Sequence, residues 1–324
     1  MFLLFLILLI LLAAWYCYKI AFYAPESKRV SADRPITGEQ YLAVADDIRR
    51  VTGIMAGYTY EEVTIQSYDG SKLFGRYYHM ADGAPVELLF HGYRSHPYRD
   101  CSGGHAMSRK LKLNTLVVDQ RSHGASDGHT ISFGVRERKD CLAWAEYAAN
   151  RFGTDTPLIL SGLSMGAATV LMASELELPK SVTCIIADSP YSAPKAIIEK
   201  VCVDKGYPLF LCRPFLWLGA LIYGGFRLNS CSATDAVRHA KVPILLLHGE
   251  DDRLVPCSMS FEIAQCCASN AVVATFPEAG HGLSYMTDPI RYERTVYDFL
   301  TQIPSIGDKI SDSFKNRYFN QNSN

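Results

Sequence analysis

From residue 58 onward, short apolar runs alternate with longer stretches in which apolar residues recur every three or four positions. The short runs are typical of buried strands, and the longer stretches are typical of helices. Such alternation predicts an α/β fold, with a mostly parallel central sheet and helices on both faces. The predicted strands cover residues 86–90, 115–119, 157–161, 182–187, 242–248 and 271–276, and the predicted helices cover 101–111, 136–151, 167–176 and 290–300.

Two segments ahead of this alternation predict an antiparallel hairpin at one edge of the sheet. Residues 61–67 and 72–79 carry alternating apolar and polar positions, and Tyr68-Asp69-Gly70 lies between them. An Asp-Gly pair favours the tight turn of a hairpin.

The first eighteen residues contain no charged side chain and are mostly Leu, Ile and Phe. Eighteen helical residues extend about 27 Å, and residues 20–24 lengthen the segment enough to cross a bilayer with some tilt. Residues 1–24 therefore predict an uncleaved transmembrane anchor. A cleaved signal peptide is the alternative, but no basic region precedes the apolar run and Ala13-Ala14-Trp15 is not an Ala-x-Ala site.

The positive charges near this segment all follow it, at Lys19, Lys28, Arg29 and Arg34. The positive-inside rule then predicts that the bulk of the chain lies in the cytoplasm.

The rest of the chain divides into three further segments. Residues 25–57 predict a polar, proline-punctuated tether and a leading helix, and residues 58–303 form the main domain. Residues 304–324 predict a polar tail that is poorly ordered over 311–324. Within the main domain, residues 191–232 are an aromatic-rich insertion, longer than a crossover needs. We interpret the insertion either as extra core or as a small lid over the strand ends.

Composition and charge exclude some classes of function. Hydrophobic residues make up 48% of the chain, the formal net charge is −1, and no basic stripe is present. Nucleic-acid binding therefore has no electrostatic support. The ten cysteines include no C-x-x-C pair, and no Cys/His spacing is typical of zinc, so the sequence predicts no metal site.

A candidate nucleophile lies at Ser164, where an apolar run breaks at Gly162-Leu163-Ser164-Met165-Gly166 and a helical pattern follows. A strand, a tight turn and a helix are the context of a nucleophile elbow. Glycines flank the serine because a Cβ at either place would collide with the neighbouring strand or helix. A structural turn is the alternative.

A serine hydroxyl needs a base, and the base needs a group that orients it. His281 lies between two glycines after the strand over 271–276, which would deliver its ring to the carboxyl edge of the sheet. Three acids follow His248 at the end of another strand: Glu250, Asp251 and Asp252. Periodicity does not choose between these acids, and Asp188 is a further alternative.

Two backbone N–H groups could form an oxyanion hole. One belongs to Met165, immediately after the candidate nucleophile, and the other to Tyr93, in the loop after the strand over 86–90. His91, which precedes this loop, is interpreted as structural. The same holds for Asp119, Arg121 and His123, which we expect to make internal hydrogen bonds.

Five motifs together resemble the α/β-hydrolase superfamily, in its serine aminopeptidase, monoacylglycerol lipase and bacterial esterase-like branch. They are His91-Gly92, the run over 119–126, the Gly-x-Ser-x-Gly turn at Ser164, His248-Gly249-x-x-Asp252-x-x-Val255-Pro256, and Gly280-His281. The resemblance covers about residues 58–303 and implies the fold, a Ser-His-Asp triad and hydrolytic activity. In this branch the acid is the fourth residue after the His of the His-Gly strand end, which is Asp252 here.

The resulting hypothesis is a membrane-anchored serine hydrolase that cleaves a small-molecule or peptide ester or amide without a cofactor. An acyltransferase with the same triad and a non-catalytic binding protein of the same fold are the alternatives. An aminopeptidase would also need an acid to receive the substrate's amine. Glu175, Glu177 and Glu199 are candidates that the sequence does not locate relative to Ser164.

Overall fold

The computed structural model describes residues 1–31 and 34–310, and its centre is a single eight-stranded sheet. The strands are β1 Glu61–Gln66, β2 Lys72–Tyr78, β3 Val86–Phe90, β4 Asn114–Asp119, β5 Leu158–Leu163, β6 Val182–Asp188, β7 Ile244–Gly249 and β8 Ala271–Phe276. Their order across the sheet is β1-β2-β4-β3-β5-β6-β7-β8.

The predicted α/β architecture is confirmed. Strands β1 and β2 form an antiparallel hairpin, β2 pairs antiparallel with β4, and all later pairs are parallel. Strands β3, β4 and β7 are buried along their whole length, as expected for apolar runs covered on both faces.

Helices cover both faces of the sheet. Successive residues of a strand point to opposite faces, so Ile185 belongs to one hydrophobic cluster and Ile186 to the other. The α-helices are α1 Phe2–Ala21, α2 Glu39–Ala43, α3 Ala45–Ala56, α4 Pro97–Asp100, α5 Ser102–Leu111, α6 Glu137–Phe152, α7 Met165–Ala173, α8 Pro194–Asp204, α9 Leu209–Ile222, α10 Ala233–Ala236, α11 Ser258–Cys266, α12 Ser284–Thr287, α13 Pro289–Thr301 and α14 Pro304–Gly307.

The sequence predicted a separate membrane anchor followed by a tether. In the structure, the end of α1 and the residues after it pack against the main domain. Phe22, directly after α1, is fully buried and packs edge-on against Phe133 and Phe226. The backbone N–H of Ile131 donates to the carbonyl of Phe22, and Arg29 donates to the carbonyl of Gly124. The chain directly after α1 therefore packs against the domain, and its aromatic side chains form part of the core.

The insertion over 191–232 consists mainly of α8 and α9, and α9 packs along α1. At the other end of the chain, α14 follows the predicted domain boundary at residue 303. Ile306 and Ile310 are buried there, so ordered packing extends to residue 310. The predicted disordered stretch over 311–324 lies outside the described residues. The ten cysteines are free thiols.

Candidate active site

Ser164 lies between the end of β5 and the start of α7, at the carboxyl edge of the sheet. Its backbone has φ 56° and ψ −113°, a conformation that non-glycine residues rarely adopt. The N–H of Ser164 donates to the carbonyl of Asp188 on the neighbouring strand, which holds the turn in place. A strained turn of this kind exposes the hydroxyl between strand and helix.

The two flanking glycines are required by close backbone approaches. A Cβ added to Gly162 would lie 2.3 Å from the carbonyl carbon of Gly166, and one added to Gly166 would lie 2.0 Å from the carbonyl oxygen of Phe90. Both separations are far inside van der Waals contact. The helix therefore packs directly onto the strands at this point. All nine residues of α7 are buried, so the helix is packed on every side.

The structure brings Ser164, His281 and Asp252 together in one hydrogen-bonded chain. Nε2 of His281 lies 2.8 Å from Oγ of Ser164, and Nδ1 of His281 lies 2.7 Å from Oδ2 of Asp252. With the proton on Nδ1, the ring donates to the carboxylate and its Nε2 is free to accept from the serine hydroxyl. These residues come from three loops that follow β5, β7 and β8.

Asp252 is held by its own loop as well as by His281. Its Oδ1 accepts from the backbone N–H groups of Leu254 and Val255, at 2.9 and 2.8 Å. Burial alone would raise the pKa of Asp252, but hydrogen bonds from His248 and His281 outweigh it and lower the pKa well below its usual range. The carboxylate is therefore ionised at neutral pH.

The other acids considered from the sequence lie elsewhere. Glu250 accepts from the hydroxyl of Thr275 at 2.7 Å. Asp188 accepts from the hydroxyls of Ser189 and Ser284, and burial raises its pKa to about 6. Of the four acids, Asp252 is the one that hydrogen-bonds to His281.

The loop after β3 brings Gly92 and Tyr93 beside Ser164. A Cβ added to Gly92 would lie 3.4 Å from Cβ of Ser164. The N–H groups of Tyr93 and Met165 donate to no acceptor among residues 1–31 and 34–310. Met165 is the first residue of α7, where N–H groups have no partner within the helix. Both amides are therefore available to a ligand oxygen.

Three groups hold this loop. His123 was expected from the sequence to make an internal hydrogen bond of this kind, whereas Asp100 and the Tyr93 hydroxyl were assigned no such role. Asp100 accepts from the N–H of Gly92 at 2.7 Å and from the hydroxyl of Ser95 at 2.6 Å. Nε2 of His123 accepts from the N–H of Arg94 at 3.0 Å. The hydroxyl of Tyr93 donates to the carbonyl of Ala21, at the end of α1.

The histidine before the loop and the charged loop after β4 make internal hydrogen bonds, as expected. Nε2 of His91 accepts from the N–H of Gln120, and burial lowers the pKa of His91 to about 4, so its ring is neutral. Arg121 pairs with Asp140 through two nitrogens, at 2.5 and 2.6 Å. Asp119 accepts from Arg76 at 2.8 Å.

Ser164 and His281 line a cavity of about 300 Å³. In the described part of the chain, no residue of the insertion over 191–232 lines it. Its outer wall comes instead from the segment that the sequence assigned to the tether and leading helix. The wall residues are Arg34, Thr37, Tyr41 and Ile48, together with Arg94 and Arg99 from the loop after β3 and the start of α4.

The N-terminal segment is also tied to the candidate site by hydrogen bonds. The hydroxyl of Tyr41 donates to the carbonyl of His281 at 3.0 Å, and the side chain of Gln40 donates to the carbonyl of Asp251. No sequence signal links residue 41 to residue 281, because the contact joins positions 240 apart in the chain. For Asp100 the sequence contained a weak indication. A buried loop needs acceptors for its N–H groups, and this acid lies eight residues after Gly92.

The model of the alpha/beta hydrolase family matches residues 88–295, which is more than half of the chain and runs from within β3 to the middle of α13. The chain belongs to the alpha/beta hydrolase family. Membership supports a hydrolase as the broad assignment of activity. The match contains Ser164, Asp252 and His281, whereas α1 to α3 lie ahead of it.

Proteins similar to this chain are known from Bacillus subtilis, Homo sapiens and Pyrococcus furiosus. The uncharacterized protein YqkD of Bacillus subtilis is 25% identical over 191 residues, covering 59% of this chain and 63% of YqkD. The human protein ABHD12B is 28% identical over 250 residues, covering 67% of this chain and 61% of ABHD12B. The chain thus spans less than two thirds of either relative. The solved structure of the Pyrococcus furiosus esterase Pf2001 is 20% identical, with a TM-score of 0.62 over 87% of this chain and 97% of the esterase, and shares the fold.

Proposed function

We propose that this protein is a serine hydrolase that cleaves a carboxylic ester through an acyl-enzyme intermediate. The observation that carries the proposal is the hydrogen-bonded chain from Ser164 through His281 to Asp252, set at a strained turn beside two unpartnered amides. A single hydrogen bond of this kind is common on protein surfaces. The complete set at one sheet edge is the arrangement that activates a serine.

The proposed reaction begins when Oγ of Ser164 attacks the carbonyl carbon of the substrate. His281 Nε2 takes the hydroxyl proton as the C–O bond forms, and Asp252 stabilises the resulting imidazolium. The N–H groups of Tyr93 and Met165 donate to the oxyanion. His281 then returns the proton to the leaving alcohol as its bond to the acyl carbon breaks. A water, deprotonated by the same ring, then attacks the acyl carbon. The bond from that carbon to Oγ breaks, the acid leaves, and the imidazolium returns the proton to Ser164.

The charges around the cavity favour an ester over the amine-terminated substrate of an aminopeptidase. Arg34, Arg94 and Arg99 line the cavity, and the acid lining it, among the described residues, is Asp100. Both oxygens of Asp100 are already occupied by Gly92 and Ser95. A cationic amine would therefore meet positive charge without a free carboxylate to receive it.

The three acids suggested from the sequence for that role are paired elsewhere. Glu175 forms an ion pair with Arg138, Glu177 with Lys241, and Glu199 with Arg213. None of the three glutamates lines the cavity at Ser164. The esterase assignment of the Pyrococcus structure points in the same direction, through shared fold alone.

We also propose that α1 is retained and attaches the protein to a membrane. The helix is 20 residues long and strongly apolar, the properties that a spanning helix or a signal sequence would have. Removal as a signal peptide would take Ala14, Tyr18 or Phe22 out of the packed structure, which favours retention. The cytoplasmic location of the domain stays a prediction. Protease protection of a C-terminal tag in intact cells tests it, and digestion of the tag in intact cells would contradict it.

The activity is tested with a fluorophosphonate probe and two substrate series. Wild-type protein should be labelled, Ser164→Ala should not, and Ser230→Ala, which alters an exposed serine outside the cavity, should be labelled at the wild-type rate. Chromogenic esters of increasing chain length should be hydrolysed faster than aminoacyl anilides. Labelling of Ser164→Ala, or faster cleavage of the anilides, would overturn the proposal.

A further inference from the structure

The apolar helix α9 is packed closely against the second half of α1. A Cβ added to Gly219 of α9 would lie 2.5 Å from the carbonyl oxygen of Ala14. Four residues after Gly219, directly beyond the end of α9, the hydroxyl of Tyr223 donates to the carbonyl of Leu11. Since residue numbers rise along α9 as they fall along α1, the two helices run antiparallel. Leu216 and Ala220 of α9 and Tyr18 of α1 also belong to the main hydrophobic cluster, so the paired helices are anchored on the domain.

The outward face of α9 exposes large apolar side chains. Phe210 is 78% exposed, Leu211 52%, Leu221 48% and Ile222 49%. Phe210 and Leu221 are eleven residues apart, which is about three helical turns, so they lie on the same side of the helix. The charge nearest to this face, Arg213, is paired with Glu199. An apolar face of this extent, continuous with an exposed apolar helix, is typical of a contact surface.

The length of α1 determines what covers that face. Residues 2–9 of α1 are exposed, and this free part of the helix is only about 12 Å long. The hydrocarbon core of a bilayer is about 30 Å thick. Any bilayer that takes up more than the first eight residues of α1 therefore also meets α9.

Aromatic and basic groups at the domain end of α1 agree with this placement. The amine of Lys19 lies 3.6 Å from the ring centre of Tyr23 and 5.6 Å from that of Trp15. Trp, Tyr and Lys side chains are enriched where a helix leaves the hydrocarbon and enters the headgroup layer. The membrane surface thus lies near residues 15–23. The C-terminal end of α9, which lies opposite Leu11 and Ala14, is then on the hydrocarbon side of that surface.

The same end of α1 is joined to the cavity at Ser164. Tyr93 and Arg94, which line the cavity, donate to the carbonyls of Ala21 and Ile20 at 2.7 and 2.9 Å. Tyr93 and Arg94 therefore each contact both the cavity and the domain end of α1. A substrate drawn from the bilayer surface would have a short path to the serine.

We propose that α1 and α9 form a joint lipid-contact face and that the enzyme takes an amphiphilic ester from the bilayer on which it rests. The substrate class depends on the proposed hydrolase function, whereas the lipid contact of α9 does not. Two measurements on the full chain separate these statements.

The first measurement is fluorescence quenching by phosphatidylcholine vesicles whose acyl chains carry bromine. In a Trp15→Phe, Trp217→Phe background, the remaining Trp144 is buried and gives a constant baseline. Leu221→Trp, at a site 48% exposed and close to the level of Leu11, should lose most of its added emission in brominated vesicles. Ile290→Trp, at a site 64% exposed on α13, should keep it. Equal quenching of the two variants would overturn the lipid-contact face.

The second measurement compares a long-chain ester embedded in vesicles with a short soluble ester. The ratio of the two rates should fall by at least about tenfold in the double variant Phe210→Glu, Leu221→Glu, because charged groups oppose insertion of the face. Ile290→Glu should leave the ratio unchanged. An unchanged ratio in the double variant would overturn the substrate class.

Two outcomes distinguish the rival explanations. If Leu221→Trp is unquenched while the fluorophosphonate still labels Ser164, the lipid face is wrong and the hydrolase stands. If quenching occurs without labelling, the hydrolase is wrong and the lipid face stands. A detergent-solubilised dimer that Phe210→Glu converts to monomer would assign the α9 face to a second copy of the chain and overturn the bilayer contact.

Discussion

Replacing Asp252 by Asn should remove most of the activity while leaving the fold in place. Asn keeps the oxygen that accepts from Leu254 and Val255, so the loop after β7 retains its hydrogen bonds. Its NH₂ group takes the place of the oxygen that lies 2.7 Å from Nδ1 of His281. Turning the amide over would direct the NH₂ group at two backbone donors instead. The Asn NH₂ group therefore faces Nδ1–H of His281, and these two donors repel each other.

The size of the loss follows from the tautomer of His281. Two N–H donors cannot share a hydrogen bond, so the ring moves its proton to Nε2, the atom that must accept from Ser164. The same substitution in a chymotrypsin-type triad lowers kcat by about 10⁴-fold, which corresponds to about 5 kcal/mol of transition-state stabilisation. We expect a loss of that order here, because Asp252 is buried and no second acid hydrogen-bonds to His281 among the described residues.

The assay is kcat/KM on a soluble ester, together with the rate of fluorophosphonate labelling and the thermal unfolding temperature. Asp251→Asn is the matched control, because it makes the same change at an exposed neighbour. The reasoning is refuted if Asp252→Asn keeps activity within about tenfold of wild type. It is also refuted if Asp251→Asn loses as much.

Three further predictions concern stability. Burial raises the pKa of Asp188 to about 6, so its stabilisation is complete below the unfolded pKa near 4 and is lost as the pH rises through 6. The wild type should therefore lose about 3 kcal/mol relative to Asp188→Asn between these pH values, and a pH-independent difference in unfolding temperature would contradict this. Phe22→Ala should lower the free energy of unfolding in detergent by about 3–5 kcal/mol, whereas Phe5→Ala, at an exposed position, should lower it little. Equal losses would mean that Phe22 is not part of the core. Gly166→Ala should yield no folded protein, whereas Gly53→Ala, where a Cβ meets open space, should express normally; a folded Gly166→Ala would disprove the close helix contact.

The sheet could be predicted because its strands are short apolar runs separated by turns. The predicted bounds of β3 and β8 match the structure, since both runs end at a polar or glycine-rich loop. The start of α7 was predicted two residues late, at 167, because the elbow places Met165 directly in the helix while periodicity only becomes visible with the alanines. Periodicity marks where a helix is apolar and leaves open what it packs against. The pairing of α1 with α9 could therefore not be predicted.

The candidate site was predictable as far as local motifs reach. Ser164 and His281 are each marked by flanking glycines. Asp252 was selected by the motif comparison, because the local sequence does not distinguish it from the two acids before it. The wall from residues 34–48 and the support of the oxyanion loop by Asp100 depend on contacts between distant segments. The insertion over 191–232 shows the same limit. Its aromatic content allowed either extra core or a lid over the strand ends. Tyr191, Leu216 and Phe226 of the insertion belong to the main hydrophobic cluster, and α9 also packs along α1.

The most direct test of the account is to map the site of covalent modification. The full-length protein is treated with a fluorophosphonate, digested, and the modified peptide is sequenced by mass spectrometry. The account predicts a single adduct on Ser164, formed slowly or not at all in His281→Gln. An adduct on any other serine, or an unmodified Ser164 in a protein that hydrolyses esters, would contradict it.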